Sequence, residues 1–269
     1  MSRHAATKWE GLDAKRLAKR WGRARVLPFG KVDSTNDAAK ELAETDAPAG
    51  TVVVCREQTA GRGRAGKRWA SPPGRGVYLS AIFRPRDLAH PAPLSILAGL
   101  GVVRALDDRF PGLGPKLKWP NDVIVADRKC GGILAEAAWS EAVPRYLVVG
   151  VGINVRPLPK GTPAAIRRGA GSLEEALGRS VPLLDVADGV VEGLDMYLSD
   201  PPVVLEAPLL AVLDRYDWLR DRRVRLTPPG EESVSTGVCV GIAPDGALLF
   251  RPDRGALRRV ENAIVEPEA

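Results

Sequence analysis

Gly61-Arg62-Gly63-Arg64-Ala65-Gly66-Lys67-Arg68-Trp69 matches two phosphate-binding templates at once. Gly61, Gly63 and Gly66 satisfy G-x-G-x-x-G, the dinucleotide fingerprint. Gly61, Gly66 and Lys67 satisfy most of G-x-x-x-x-G-K-[ST], which fails where Arg68 replaces the hydroxyl. Either template fixes a fold: a strand, the glycine loop, then a helix whose N-terminus faces the phosphate. The strand is in place at Thr51–Gln58, a β-branched run. The helix is not. Ala70-Ser71-Pro72-Pro73-Gly74-Arg75-Gly76 follows, and its two prolines cannot propagate one. Both nucleotide-binding folds are excluded. What remains is a glycine loop carrying Arg62, Arg64, Lys67 and Arg68 and ending in tryptophan. Glycines admit close backbone approach. Cations facing only one another predict a loop that stays disordered until it closes on a polyanion.

Outward from the loop, helices and strands mix. Leu12–Trp21 reads as a short basic amphipathic helix. Ser34, with Asp37 three residues on, caps a helix through AAKELAE. Gly76–Arg84 is a second strand. Leu94–Phe110 is a helix apolar nearly all round, hence buried. Lys116–Trp139 reads as two strands around the polar turn Ala126–Lys129, and Arg145–Val155 as another strand. A loop rich in Pro, Gly and Arg follows, then helices over Pro182–Leu198 and Glu206–Arg220. From Arg222 short strands alternate with turn signals such as Pro244-Asp245-Gly246, which predicts a small SH3-like β-barrel. Hairpins stand where a parallel fold would need crossovers. The expected fold is α+β: a mixed, mainly antiparallel sheet with flanking helices over residues 1–220, and a small β domain over 221–269.

Composition narrows the function. No run approaches the ~18 apolar residues of a membrane span, and the N-terminus lacks the apolar core of a signal peptide. A cytoplasmic protein with no membrane partner is expected. Cys55, Cys130 and Cys239 lie far apart, without metal or redox spacing, and read as buried free thiols. The two histidines, His4 and His90, neighbour no nucleophile motif, which argues against Ser-His-Asp, Cys-His and His-rich metal sites. A net charge of +6 permits a polyanionic partner. The arginines are scattered with few aromatics between them, which argues against nucleic acid.

Three further clusters join the loop. Lys118-Trp119-Pro120-Asn121-Asp122 places a proline where a strand must have an edge or bulge, then two polar side chains. Lys129-Cys130-Gly131-Gly132-Ile133-Leu134 sets a lysine at the mouth of a turn before paired glycines. Gly150-Val151-Gly152-Ile153-Asn154-Val155 ends a strand in small residues and one amide. Singly these read as a bulge, a hairpin turn and a close-packed strand. Together, on neighbouring strands, they suggest one pocket.

In order and spacing, STN at 34–36, EQTAGRGRAGKRW at 57–69, KWPNDV at 118–123, KCGGILAE at 129–136 and GVGINV at 150–155 resemble the signature set of the biotin protein ligases. The resemblance spans nearly the whole chain, the small β domain included. Lipoate ligases share the catalytic fold but lack the glycine-arginine loop. The resemblance implies a class II synthetase/biotin-lipoate ligase-like catalytic fold. It implies activation of biotin by ATP with Mg2+ to biotinyl-5′-AMP, then transfer to a lysine of a biotin carboxyl carrier domain of acetyl-CoA or a related carboxylase. Bifunctional members carry a winged helix-turn-helix ahead of STN. Here 33 residues precede Ser34, so a short monofunctional ligase that binds no DNA is expected. A lipoate or octanoate ligase or transferase is the alternative, and a pocket of Ser, Thr, Asn and Gln argues against a purely aliphatic acid.

The resemblance also implies roles. The catalytic set is Lys129, Arg64, Arg62 and Asp122. A carboxylate and a phosphate at ~4 Å repel by several kcal/mol at intermediate dielectric, so the site must supply cations. Lys129 meets the biotin carboxyl and the phosphate, and Arg62 and Arg64 close over the adenylate. Ser34, Thr35, Asn36 and Gln58 hold the ureido head group, with Gly61, Gly63 and Gly132 in the same binding set. Trp69 stacks on adenine and Asn154 binds it through its amide. Lys67 and Asn121 stand near the phosphates. Asp122 stands near magnesium and is a candidate base for the acceptor lysine. Lys67 replaces the family's usual arginine, so a bidentate contact there is lost.

Overall fold

This computed structural model describes residues 4–5, 8–85, 92–140, 143–231 and 233–268; His90 and the side chain of His4 lie outside that description. In chain order the elements are β1 His4–Ala5, β2 Lys8–Trp9, β3 Leu12–Asp13, α1 Ala14–Arg20, β4 Val26–Val32, α2 Thr35–Glu44, β5 Val52–Gln58, β6 Gly76–Phe83 and α3 Ala92–Arg109. There follow β7 Lys116–Lys118, β8 Asp122–Val125, β9 Arg128–Ser140, β10 Val143–Asn154, α4 Ala164–Gly169, α5 Leu173–Leu177, α6 Leu183–Leu198 and α7 Ala207–Tyr216. The last strands are β11 Arg223–Thr227, β12 Ser235–Ile242, β13 Leu248–Pro252, β14 Arg258–Val260 and β15 Ile264–Pro267.

Eight strands form one sheet in the order β1-β4-β5-β6-β10-β9-β8-β7. Only the β4–β5 ladder is parallel; the others are antiparallel. Side-chain alternation divides the sheet into two faces. Val52, Val54, Leu79, Val149 and Val151 point toward α3 and α6 in the main core. Val53, Cys55, Tyr78, Ile82 and Val148 point the other way, under Ala38, Ala39 and Ala43 of α2. Both faces are covered near β5, β6 and β10, which is why these strands read as near-continuous apolar runs. Beyond the end of α2, the second face is open, and the functional clusters collect there.

Four sequence expectations change. Lys116–Trp139 forms three strands, not two, because Trp119-Pro120-Asn121 makes a turn before β8. The Trp119–Pro120 peptide is cis. The last helix stops at Tyr216, short of Arg220: the chain leaves it so that Trp218 N–H can donate to the Leu117 carbonyl at 2.9 Å on the sheet edge. The Pro-Gly-Arg loop contains α4 and α5. The small β domain is a five-stranded sheet in the order β14-β13-β12-β11-β15, and no ladder joins β14 to β15. The five strands form an open sheet, not a closed barrel, with β14 and β15 as its two edges. The three cysteines are free and buried, as expected; burial pushes the Cys130 and Cys239 thiols up to about 12.

Candidate active site

One row of residues in register crosses five strands: Tyr78, Gly152, Gly132, Asp122 and Lys118. The two glycines lay a trough across the sheet, flanked in register by Tyr78 on one side and Asp122 on the other. Trp69 lies over the trough. A Cβ on Gly152 would fall on its indole, so this position demands glycine. A second row, Ser80-Gly150-Leu134, runs beside the first. There a Cβ on Gly150 would meet the Asn36 amide at the start of α2. Glycine repeats at period two thus make room for an indole and an amide on one face.

Above this floor is a cavity of about 910 Å3. Its polar end is the N-terminus of α2. Ser34 caps the helix, accepting from Asp37 N–H at 3.4 Å. Ser34, Thr35 and Asn36 are buried, and the burial is tolerated because partners are present. Thr35 N–H donates to Gln58 Oε1 at 2.8 Å, and Gln58 Nε2 donates to Ser71 Oγ at 2.7 Å. Ser80 Oγ donates to Asn36 Oδ1 at 2.6 Å and lies 2.8 Å from Thr35 Oγ1.

The charged end is built from the turn into β9. Lys129 Nζ lies 2.6 Å from Asp122 Oδ1 and 5.6 Å from the centre of the Trp69 ring. Asp122 is the one carboxylate among the described residues of the lining, against Arg62, Arg64, Lys67, Arg68, Lys118 and Lys129. Burial pushes the Lys118 ammonium below its usual value; Asp122 opposes the shift and Lys129 adds to it. Burial likewise lowers Arg64, which has no ion-pair partner among the described residues. An excess of partly desolvated cations around one acid is a site for an anion.

The loop has a defined turn. Arg62 and Arg68 face each other across a bridge, and Gly63 N–H donates to the Lys67 carbonyl at 2.7 Å. Taken along the chain, the four cations have only one another for neighbours, which predicts disorder. The fold supplies Arg62 with Asp37 and Glu136 at 2.7 and 2.8 Å, which offsets that repulsion. Asn121 and Asn154 line the cavity with their amides partly engaged. Asn121 Nδ2 donates to the Ile133 carbonyl at 2.8 Å, and Asn154 Nδ2 to the Gly171 carbonyl at 3.2 Å.

Every candidate site residue lines this cavity except Gly61, which is packed under the Trp69 carbonyl and Ser71. Other lining residues went unread. Lys118 stands out in the sequence only as part of its pentapeptide. Ile166 of α4 and Ile264 at the edge of the small sheet also line the cavity, and both are exposed. The small sheet therefore contributes a wall of the cavity. No sequence signal marked this, because a rim residue carries no distinctive chemistry.

The sequence model of the Biotin/lipoate A/B protein ligase family matches residues 29–154, from β4 to the end of β10. The biotin–[acetyl-CoA-carboxylase] ligase of Paracoccus denitrificans is 31% identical over 84% of this chain and 94% of its own. The bifunctional ligase/repressor BirA of Bacillus subtilis is 31% identical over 87% of this chain and 71% of its own. Among solved structures, the biotin protein ligase of Aquifex aeolicus in complex with biotin and ATP superposes with a TM-score of 0.69 at 28% identity, over 90% of this chain and 98% of that one. The glycine trough, the polar helix end and the lysine–aspartate pair lie inside the matched span, and the chain belongs to the biotin protein ligases of the Biotin/lipoate A/B protein ligase family.

Proposed function

We propose that this cavity performs both half-reactions of biotin attachment. In the first, the biotin carboxylate attacks the α-phosphorus of ATP, the bond to the β-phosphate breaks and pyrophosphate leaves. In the second, a neutral lysine amine of a carboxyl carrier domain attacks the acyl carbon and AMP leaves. The observation that carries this reading is the position of Lys129, beside Asp122 and the Trp69 indole, in a cavity with a cationic excess. A carboxylate and a phosphate meet only where their mutual repulsion is offset, and Lys129 with Arg64 offers that charge.

Thr35, Gln58 and Asn36 supply donors and acceptors to a ureido ring, with Ser34 fixing the helix end that presents them. Such a wall disfavours lipoate or octanoate, whose acyl chains present no matching polar groups. Trp69 and Asn154 take the adenine. The Trp69 Nε1 atom is buried without a hydrogen-bond partner among the described residues, so the ring's donor is not consumed by the protein. Lys67, Asn121 and Arg64 face the phosphates.

The donor set fits magnesium only as an ion carried in on phosphate. Among the described residues no three metal-ligating side chains cluster, and Asp122 alone adds a carboxylate to the lining. Mg2+ characteristically uses one or two carboxylates together with substrate phosphates. When bound it neutralises phosphate charge; Asp122 would hold it and remains the candidate base for the acceptor amine. Among the described residues, no helix is long and apolar enough to cross a membrane. A cytoplasmic location fits a reaction that draws on ATP. Pyrophosphate release separates the readings: biotin should drive it and lipoate should not. Release driven by lipoate alone would overturn the assignment.

A further inference from the structure

Glu136 lies on the same face of β9 as Gly132 and Leu134, yet it stands outside the cavity lining. Its carboxylate is engaged on both oxygens. Oε1 accepts from Lys40 Nζ at 2.9 Å and Arg62 Nη1 at 3.1 Å. Oε2 accepts from Asn36 Nδ2 and Arg62 Nη2, each at 2.8 Å. Arg62 is thus gripped by its two terminal nitrogens in the fork geometry that fixes a guanidinium plane. Asn36 is held from both sides, since its amide oxygen accepts from Ser80. We propose that Glu136 is a positioning residue that latches the glycine loop, through Arg62, to the polar wall of the cavity, through Asn36.

The latch acts on two parts of the site through one carboxylate. On one side Arg62 begins the turn that carries Arg64 and Lys67 along the cavity. On the other, Asn36 is linked through Ser80 to Thr35, and Thr35 to Gln58. A shift in Glu136 moves the loop and the head-group wall together. Neighbouring charges keep the carboxylate ionised. Burial alone would raise Glu136, but the bonds from Asn36, Lys40 and Arg62 outweigh burial and hold it below the usual glutamate range. Asp37 adds a second acceptor for Arg62 at 2.7 Å, so the loop is not released entirely when Glu136 is lost. The pair is partly exposed, which places its strength in the range of a loop-closing contact rather than a determinant of global stability.

Only the effect on biotin rests on the ligase reading; the latch itself does not. Tryptic cleavage after Arg64 and Lys67 reports loop opening directly, with no substrate present. Glu136→Gln, which keeps the shape and removes the charge, should raise loop cleavage roughly fivefold while cleavage elsewhere and the melting temperature stay as in wild type. Glu136→Asp, one methylene short, should fall between. In an Arg62→Ala background Glu136→Gln should add nothing further. The KM for biotin should rise roughly fivefold with kcat within about twofold, because ground-state positioning is what the latch supplies. Wild-type loop cleavage in Glu136→Gln overturns the proposal, as does an equal increase in both backgrounds. If loop cleavage changes as expected while no variant, wild type included, uses biotin, the latch stands and the ligase reading falls.

Discussion

Lys129 and Asp122 form a 2.6 Å ion pair at the charged end of the cavity, with the lysine side chain 40% and the aspartate 21% exposed. A pair this open contributes at most about 1 kcal/mol to stability. Its place in the molecule is electrostatic: the one acid of the lining among the described residues holds the lysine that faces the trough. On the proposed reading, an arriving anion competes with Asp122 for Lys129 and frees the carboxylate for the second half-reaction. Asp122→Asn should therefore change stability by less than about 1 kcal/mol. Transfer of biotin from preformed adenylate should fall at least about tenfold. Single-turnover transfer measures this directly, and an unchanged rate removes Asp122 as the base.

The trough makes a steric prediction. Gly152→Ala places a methyl group on the Trp69 indole, so the ring must leave its seat. The backbone pairing to Tyr78 and Gly132 can persist, since alanine is tolerated in a strand. The KM for ATP should rise roughly tenfold as the aromatic surface is displaced, with a smaller change for biotin. Initial-rate kinetics with each substrate varied in turn checks it. Equal rises in both would point to general distortion.

Arg64, like Lys67 and Arg68, has no ion-pair partner among the described residues; burial lowers it and Asp122 opposes the shift. It can turn to a ligand without breaking a bond within the protein. Arg64→Gly should shorten the lifetime of bound biotinyl-adenylate by about tenfold or more. Adenylate dissociation, followed by gel filtration of labelled complex, tests this. Retention at the wild-type level contradicts a clamping role.

Asp217 sits where α7 gives way to the small sheet. Its Oδ1 accepts from Leu219 N–H at 2.9 Å, while Oδ2 is buried without a partner among the described residues. Burial raises its carboxyl from 3.8 to about 6. The folded state therefore keeps a proton that the unfolded chain releases near pH 4, and this favourable contribution is lost as pH rises through 6. Asp217→Asn should flatten the stability profile between about pH 4 and 6 and raise stability at pH 7 by roughly 1 kcal/mol. Urea denaturation at pH 5 and pH 7 measures the difference; an unchanged pH slope contradicts the argument.

The sequence marked out the site more fully than the fold. Pro72 and Pro73 ruled out a helix after the glycine loop, and the period-two glycines at 150 and 152 sit on one face as their spacing requires. What escaped was set by long-range contacts. Nothing near Glu136 in the sequence tells that it meets Arg62, 74 residues away. The strand Val26–Val32 holds Pro28 and Gly30, which weaken its local signal; the β5 ladder overrides them. The small β domain is an open sheet, not the barrel expected, for the opposite reason. Strand patterning identifies strands but not whether the two edge strands, β14 and β15, meet.

The central claim is that one cavity activates biotin and then delivers it to a protein lysine. Transfer of labelled biotin to a carboxyl carrier domain, with ATP and Mg2+, tests it most directly. Wild-type protein should label the carrier on a single lysine, and Lys129→Ala should lower adenylate formation by about a thousandfold while leaving the fold intact by circular dichroism. Labelling that survives in Lys129→Ala, or a folded wild-type protein that releases no pyrophosphate with biotin, would contradict it.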